Sequence, residues 1–131
     1  MLDTNVVIHL RDRDERVMNQ LEALGGDVMI SVMTRVELEG GVGPDLSKSQ
    51  IRRQRLDAIL SILPVVPFDE DAADAYRMIL EAAGFSRRKI IDRMIAAQCL
   101  VHKATLVTIN ADDFRDVPGL DLVAWDADAS T

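Results

Sequence analysis

The acidic side chains best suited to chemistry in this sequence stand beside apolar segments. There are four of them: Asp3, Glu37, Asp92 and Asp113. Asp3 lies in the opening stretch MLDTNVVIHL, just before an apolar run. A carboxylate is costly to bury unless it is hydrogen-bonded or paired with a positive charge. We therefore predict that these carboxylates either cap local backbone or point into a site where several of them meet.

Each carboxylate also has a purely structural interpretation, which stays open at this point. Thr34 and Glu37 fit the capping-box pattern of a helix start, Ser/Thr-x-x-Glu. Asp92 stands where a helix is predicted to begin, and the helix dipole favours a carboxylate there. Asp113 follows a predicted strand and could cap the turn. Asp3 is the hardest to explain in this way, because capping a helix does not require a strand before it.

Several carboxylates without histidine form a donor set that suits hard divalent cations. Mg²⁺ and Mn²⁺ take carboxylate and water ligands in proteins. Such an ion neutralises charge on a phosphodiester and activates a water molecule. The two histidines, His9 and His102, have no partner at metal-ligand spacing. Through a bound cation, an acidic protein could therefore act on an anionic polymer.

The charge of the whole chain opposes broad contact with nucleic acid. The net charge is −7, from 15 basic and 22 acidic residues, and a negative surface repels phosphate. Basic residues are nevertheless grouped in three places: Arg11, Arg13 and Arg16; Arg52, Arg53 and Arg55; and Arg87, Arg88 and Lys89. Such groups are usually solvated faces, but the third directly precedes Asp92. That group is the best candidate to guide a phosphate backbone.

The elements that must position these residues alternate along one domain, predicted over residues 1–125 with a frayed tail at 126–131. Strands are predicted at the start of the chain and at 28–31, 64–68, 105–109 and 120–125. Helices are predicted from Asn5 and at 13–24, 34–40, 49–63, 69–83 and 90–103. This alternation favours an α/β fold with a parallel sheet covered on both faces. Sites in such folds form at the carboxyl ends of the strands, which would gather the acidic residues at one edge.

Membrane and secretory features are missing from the sequence pattern. No apolar run approaches the roughly 18 residues of a membrane span. The single cysteine, Cys99, is interpreted as a small core residue. We therefore expect a cytoplasmic protein without contact to a membrane.

Five motifs occur in an order and at spacings that are specific only in combination. They are LDTNVVI at 2–8, SVMTRVELEGGV at 31–42, IIDRMIAAQ at 90–98, LVTINADDF at 106–114 and VPGLDLVAW at 117–125. Through them the chain resembles PIN-domain ribonucleases, most closely the VapC-type toxins of bacterial toxin–antitoxin pairs. The resemblance implies a PIN-like three-layer α/β/α fold with a short central parallel sheet. One departure is the early position of Asp3: relatives usually have a few more residues in the first strand, so here either that strand is short or the true start lies upstream.

The resemblance implies a metal-dependent endoribonuclease that hydrolyses phosphodiester bonds of RNA. The implied acidic active-site residues are Asp3, Glu37, Asp92 and Asp113, with Asp112 as a lesser candidate for the fourth position. Asp3 and Asp92 are expected to hold Mg²⁺ or Mn²⁺. The neutral groups expected around them are Thr4, Thr108 and Asn110; the two threonines would orient carboxylates, and many relatives carry Asp in place of Asn110.

The resemblance also implies protein partners. VapC-type toxins form homodimers and are inhibited by a cognate antitoxin that directs a basic side chain at the acidic pocket. Apolar helical faces at 17–24 and 51–63 could serve such an interface or belong to the core. The alternative function is a catalytically silent PIN scaffold that binds RNA or a protein partner. A phosphoacceptor receiver domain is disfavoured, because no acidic pair stands beside Asp3 and no lysine follows 120–125.

Overall fold

The computed structural model describes residues 1–128, which form an α/β fold. Its regular elements are α1 (Thr4–Arg11), α2 (Glu15–Ala23), β1 (Ile30–Ser31), α3 (Val32–Gly40), α4 (Leu46–Ile62), β2 (Val65–Val66), α5 (Glu70–Ala83), a 3₁₀ turn (Arg87–Lys89), α6 (Ile90–His102), β3 (Leu106–Thr108), a second 3₁₀ turn (Ala111–Phe114) and β4 (Leu122–Ala124). Within residues 1–128, no helix has the length and apolar character needed to cross a membrane.

The sheet is parallel, and its middle segment is the start of the chain. β1 pairs with β2, and β3 pairs with β4. Leu2 joins the two pairs by bridging Ile30 on one side and Val107 on the other. The Leu2 N–H donates to Met29 O at 3.0 Å, and the Asp3 N–H donates to Val107 O at 2.8 Å. The predicted first strand is thus a single bridging residue in the order β2-β1-Leu2-β3-β4.

Helices cover both faces of this sheet. Because successive strand residues point to opposite faces, Met1 and Leu106 pack in one core cluster, which includes residues of α5 and α6. Leu2 and Val107 pack in the other, with residues of α1, α2, α3 and α4. The three-layer α/β/α arrangement with a short parallel sheet is therefore confirmed.

Helix α3 begins earlier than the sequence predicted, and the capping-box interpretation of Thr34 is wrong. The side chain of Ser31 caps the helix by accepting a hydrogen bond from Met33 N–H at 3.0 Å. Thr34 consequently lies inside the helix and is fully buried. Since Ser31 already fills the capping position, Glu37 is free to make contacts outside its own helix.

Helix α4 also begins earlier, at residue 46 instead of 49. Asp45 caps it by accepting hydrogen bonds from the backbone N–H and the hydroxyl of Ser47, at 3.0 and 2.8 Å. The apolar periodicity used for the prediction starts only at Ile51, so it carries no signal for the exposed first turn.

The end of the described chain lies against α2. Gln20 Nε2 donates to Asp126 O at 2.8 Å, and the Asp128 N–H donates to Asp14 Oδ2 at 2.9 Å. The first half of the predicted frayed tail is therefore hydrogen-bonded to the domain. Residues 129–131 lie outside the described residues.

Candidate active site

The candidate site lies at the carboxyl edge of the sheet, where the parallel strands all end. Asp3 follows the bridging residue Leu2, and β1 leads directly into α3, which carries Glu37. Thr108 ends β3 on the other side of Asp3. This placement agrees with the rule that sites in parallel sheets form beyond the carboxyl ends of the strands.

Asp3 is held by hydrogen bonds to both of its carboxylate oxygens. It is only 2% exposed. Oδ1 accepts from the Thr4 N–H at 2.8 Å, so Asp3 caps α1, and Oδ2 accepts from Thr108 Oγ1 at 2.9 Å. Thr108 Oγ1 in turn accepts from the Asn110 N–H at 3.0 Å, which directs the hydroxyl proton toward Asp3. Asn110 itself is exposed and joins this network only through its backbone. Asp3 thus caps a helix and belongs to the site at the same time.

Glu37 joins the site through two threonine hydroxyls. Thr4 Oγ1 donates to Glu37 Oε1 at 2.9 Å, and Thr4 Oγ1 lies 3.0 Å from Thr34 Oγ1. Because the single hydroxyl proton of Thr4 goes to Glu37, Thr34 is the donor to Thr4. Thr4 and Thr34 are buried, whereas Glu37 is exposed at the edge. Thr34 is a site residue that sequence reasoning had assigned to capping.

Asp92 and Asp113 complete an acidic cluster whose members affect one another's ionisation. Burial raises the pKa of Asp92 to about 6, and the charges of Asp3, Asp113 and Glu37 add to this effect. Burial also raises the pKa of Asp3, against the two hydrogen bonds described above, and Glu37 and Asp113 raise it further. The four predicted carboxylates are therefore close enough for mutual repulsion.

The two candidates for the fourth carboxylate have different surroundings. Asp113 lies within electrostatic reach of Asp3 and Asp92, and its Oδ1 is 3.6 Å from Arg88 Nη1. Asp112 is 88% exposed and pairs with Arg115 at 2.6 Å. The structure therefore brings Asp113 into the acidic cluster and leaves Asp112 on the surface.

The donor chemistry of this cluster fits a hard divalent cation. All four side chains present oxygen, and the exposed guanidinium of Arg88, 3.6 Å from Asp113, opposes their charge. Within residues 1–128, no three His, Cys, Asp or Glu side chains are gathered tightly enough to hold a metal ion as they stand.

A buried arginine beside the cluster was missed by sequence reasoning. Arg93 is 3% exposed; its Nη1 donates to Gly84 O, and its Nη2 donates to Asp116 Oδ2 at 2.9 Å. Lys89 Nζ lies 3.4 Å from the same oxygen. Burial alone would raise the pKa of Asp116, but the hydrogen bonds from Arg93 and Lys89 outweigh it and lower that pKa. The available signal was a charged residue within an otherwise apolar helix, which must find a partner.

The three basic groups differ in how their charges are paired with carboxylates of the same chain. In the first, Arg11 is buried and pairs with Asp12 at 3.0 Å. In the second, Arg53 pairs with Glu39 at 2.5 Å. The third is the group that reaches the acidic cluster, through Arg88.

Comparisons with known proteins identify the family. A family model described as PIN domain matches residues 1–120. Ribonuclease VapC2 of Rickettsia felis is 33% identical over 96% of this chain and 97% of its own length. The solved structure of VapBC2 from the same organism, bound to a DNA fragment from its promoter, has a TM-score of 0.83 at 31% identity, covering 96% of this chain and 98% of that one.

A second solved structure is similar to nearly the same extent. FitAcB from Neisseria gonorrhoeae has a TM-score of 0.80 at 32% identity, covering 92% of this chain and 94% of that one. The matched sequence and the fold with acidic side chains at the carboxyl edge agree. The chain therefore belongs to the PIN domain family and, within it, to the VapC type.

Proposed function

We propose that this protein is a metal-dependent endoribonuclease of the VapC type, which hydrolyses phosphodiester bonds of RNA. The observation that carries the proposal is the convergence of Asp3, Glu37, Asp92 and Asp113 at one sheet edge. Carboxylates whose pKa values are raised by burial and by one another are common at functional sites, which supports the proposal. The similarity to Ribonuclease VapC2 supports RNA as the substrate. With RNA as its substrate, the protein is proposed to act in the cytoplasm.

We assign Asp3 and Asp92 as the residues that hold Mg²⁺ or Mn²⁺, with Glu37 and Asp113 completing the site directly or through water. When bound, such an ion supplies positive charge for the phosphate and lowers the pKa of a water molecule. The support is the all-oxygen donor set and the excess negative charge at the cluster. Arg88 opposes that charge from a solvent-exposed position, with its Nη1 3.6 Å from Asp113 Oδ1.

The threonines set the positions of the carboxylates. Because both oxygens of Asp3 accept hydrogen bonds, the orientation of this carboxylate is defined before any ligand arrives. Thr4 connects Asp3 to Glu37, since its N–H bonds one and its hydroxyl the other. Hydrogen-bond partners of metal ligands keep the site preorganised and typically affect metal affinity about 10- to 100-fold.

We also propose that a cognate antitoxin inhibits the protein and that the protein forms a homodimer. Several solved relatives are toxin–antitoxin assemblies, including one from Klebsiella pneumoniae. The helical faces predicted for an interface are partly core, because Val17 and Leu56 are buried. Between α2 and α4 they leave an open apolar cavity of about 230 Å³, at which Met18 and Ile62 are exposed. This cavity suits an apolar helical segment of an antitoxin.

The experiment that tests the nuclease is cleavage of a mixed single-stranded RNA pool by the purified protein with Mg²⁺, Mn²⁺ or EDTA. The variants are Asp92→Asn and, as a matched control, Asp112→Asn, which removes an exposed carboxylate outside the cluster. We expect cleavage that requires the metal, falls more than about 100-fold in Asp92→Asn and is unchanged in Asp112→Asn.

Two results would contradict this proposal. Equal cleavage by wild type and Asp92→Asn would indicate a contaminating nuclease. No cleavage, together with no heat of Mn²⁺ binding in titration calorimetry, would favour the alternative of a silent scaffold that binds RNA or a protein.

A further inference from the structure

We propose that Phe85 and Arg88 form a binding element for single-stranded RNA at the entrance to the acidic cluster. Phe85 stacks on a base, and Arg88 pairs with a phosphate. This inference rests on the proposed nuclease function and adds to it the residues that hold the substrate strand.

Phe85 is a solvent-exposed aromatic side chain. It is 70% exposed, and it is the aromatic residue among the large apolar side chains that are exposed within residues 1–128. Phe114, by contrast, is 1% exposed in the core. Proteins that bind single-stranded nucleic acid stack bases on exposed aromatic rings, and this stacking depends little on the base sequence. The ring of Phe85 is available for such a contact.

Arg88, three residues after Phe85, places an exposed positive charge at the acidic cluster. Its side chain is 73% exposed, and its Nη1 lies 3.6 Å from Asp113 Oδ1. A guanidinium binds phosphate through two parallel hydrogen bonds. Because Arg88 is held at the cluster without being buried, it can turn to a phosphate there. Three residues span at most about 11 Å between Cα atoms, so Phe85 and Arg88 can act on one short stretch of a strand.

The segment that carries both residues is anchored at its two ends. At its start, Gly84 O accepts a hydrogen bond from buried Arg93. At its end, Lys89 and Arg93 both contact Asp116 Oδ2, at 3.4 and 2.9 Å. An element that is already ordered loses less conformational entropy on binding. The anchoring therefore favours presentation of Phe85 and Arg88 to a ligand over free movement of the segment.

Charge favours RNA over a protein as the occupant. Arg87, Arg88 and Lys89 are three successive cations in a chain of net charge −7. Arg87 is exposed, and the described part of the chain offers it no ion-pair partner. One ring beside several cations is the pattern of a site for a nucleic-acid strand.

The test measures binding of a fluorescein-labelled, mixed-sequence single-stranded RNA, with every variant made in an Asp92→Asn background so that the RNA stays intact. The variants are Phe85→Ala, Phe85→Leu, Phe85→Trp and Arg88→Ala. The controls are Met78→Ala and Arg77→Ala, which change an apolar side chain that is 67% exposed and a basic one that is 79% exposed on α5. Since all these side chains are exposed, the variants should fold, which thermal unfolding checks.

We expect Phe85→Ala and Phe85→Leu to raise the Kd about tenfold, because leucine is apolar but offers no ring for stacking. Phe85→Trp should bind like the parent, and so should both controls. Arg88→Ala should raise the Kd and lower the slope of log K against log salt by about 0.7. In the active protein, Phe85→Ala should raise KM with kcat little changed, since stacking away from the reacting bond is uniform binding.

The proposal is overturned if Phe85→Ala and Phe85→Leu bind the RNA as tightly as the parent. If they do so and the wild type still cleaves RNA, this inference fails while the nuclease stands. If the Asp92→Asn protein binds no RNA and the wild type cleaves none, both fail. A Phe85→Ala variant with unchanged RNA binding but an altered oligomeric state in sedimentation would assign Phe85 to a protein interface instead.

Discussion

Two acidic regions of this molecule share the same stretches of chain and behave in opposite ways. Asp92 is followed directly by Arg93, and Asp113 and Asp116 are three residues apart. In the acidic cluster, burial and neighbouring carboxylates raise the pKa of Asp92 to about 6. Around Asp116, the hydrogen bonds from Arg93 and Lys89 lower the pKa. In the first region the exposed guanidinium of Arg88 opposes the negative charge only weakly, whereas in the second Arg93 and Lys89 pair with Asp116.

This difference distinguishes the candidate functional site, the acidic cluster, from the ion pairs around Asp116 that stabilise the fold beside it. A carboxylate that is neutralised within the chain contributes to the fold, and nothing further is needed to compensate its charge. Carboxylates that repel one another lower this repulsion by taking up a proton or by binding a cation, and such perturbed ionisation is common at functional positions. Arg93 directly follows Asp92, so its contact with Asp116 anchors the first turn of α6, the helix that also carries Asp92.

The largest expected effect comes from breaking the paired region. Arg93→Ala leaves Gly84 O and Asp116 without their donor and should lower the free energy of unfolding by about 3 kcal/mol. Arg93→Lys keeps the positive charge but cannot donate from two guanidinium nitrogens to Gly84 O and Asp116 at once. It should therefore lower the free energy of unfolding by about half as much. Urea unfolding monitored by circular dichroism measures both. A wild-type midpoint for Arg93→Ala would mean that this contact does not stabilise the fold.

A smaller effect of opposite sign is expected in the acidic cluster. Asp92→Asn removes one of four mutually repelling charges and should raise the free energy of unfolding by about 1 kcal/mol in EDTA, a value reduced by partial solvent exposure. Asp112→Asn, outside the cluster, should change stability by less than about 0.5 kcal/mol. If Asp92→Asn is instead destabilising, the main role of Asp92 would be its favourable interaction with the dipole of α6.

The smallest effect is the acid sensitivity of the paired region. Asp116→Asn should lower stability at pH 7 by less than about 1 kcal/mol, because Asp116 is partly exposed. The folded pKa of Asp116 is depressed below 3.8. Its contribution is therefore fully present above the unfolded pKa and is lost as the pH falls through the folded pKa.

Urea midpoints of wild type and Asp116→Asn across this pH range measure that loss. The two proteins should differ at neutral pH and converge below about pH 4. A difference that stays constant with pH would show that the hydrogen bond of Asp116 does not depend on its charge.

Much of the fold was accessible from periodicity and turn residues. Alternating short apolar strands and amphipathic helices predicted the α/β class, and Gly84 after α5 has the positive φ, 79°, of a helix terminus. The start of α3 was misplaced because Ser31 and Thr34 both satisfy the local capping pattern. Short-range sequence rules cannot choose between two such residues; burial of Thr34 against Thr4 does.

The sequence by itself determined which side chains could form the site, through carboxylates at strand ends and motifs in a specific order. The sequence favoured Asp113 over Asp112, and only the tertiary structure puts Asp113 within electrostatic reach of Asp3 and Asp92, exposes Asp112 and binds Arg93 to Asp116. The reason is physical. Local sequence sets propensity and periodicity, whereas the pairing of charges far apart along the chain depends on how the strands and helices pack.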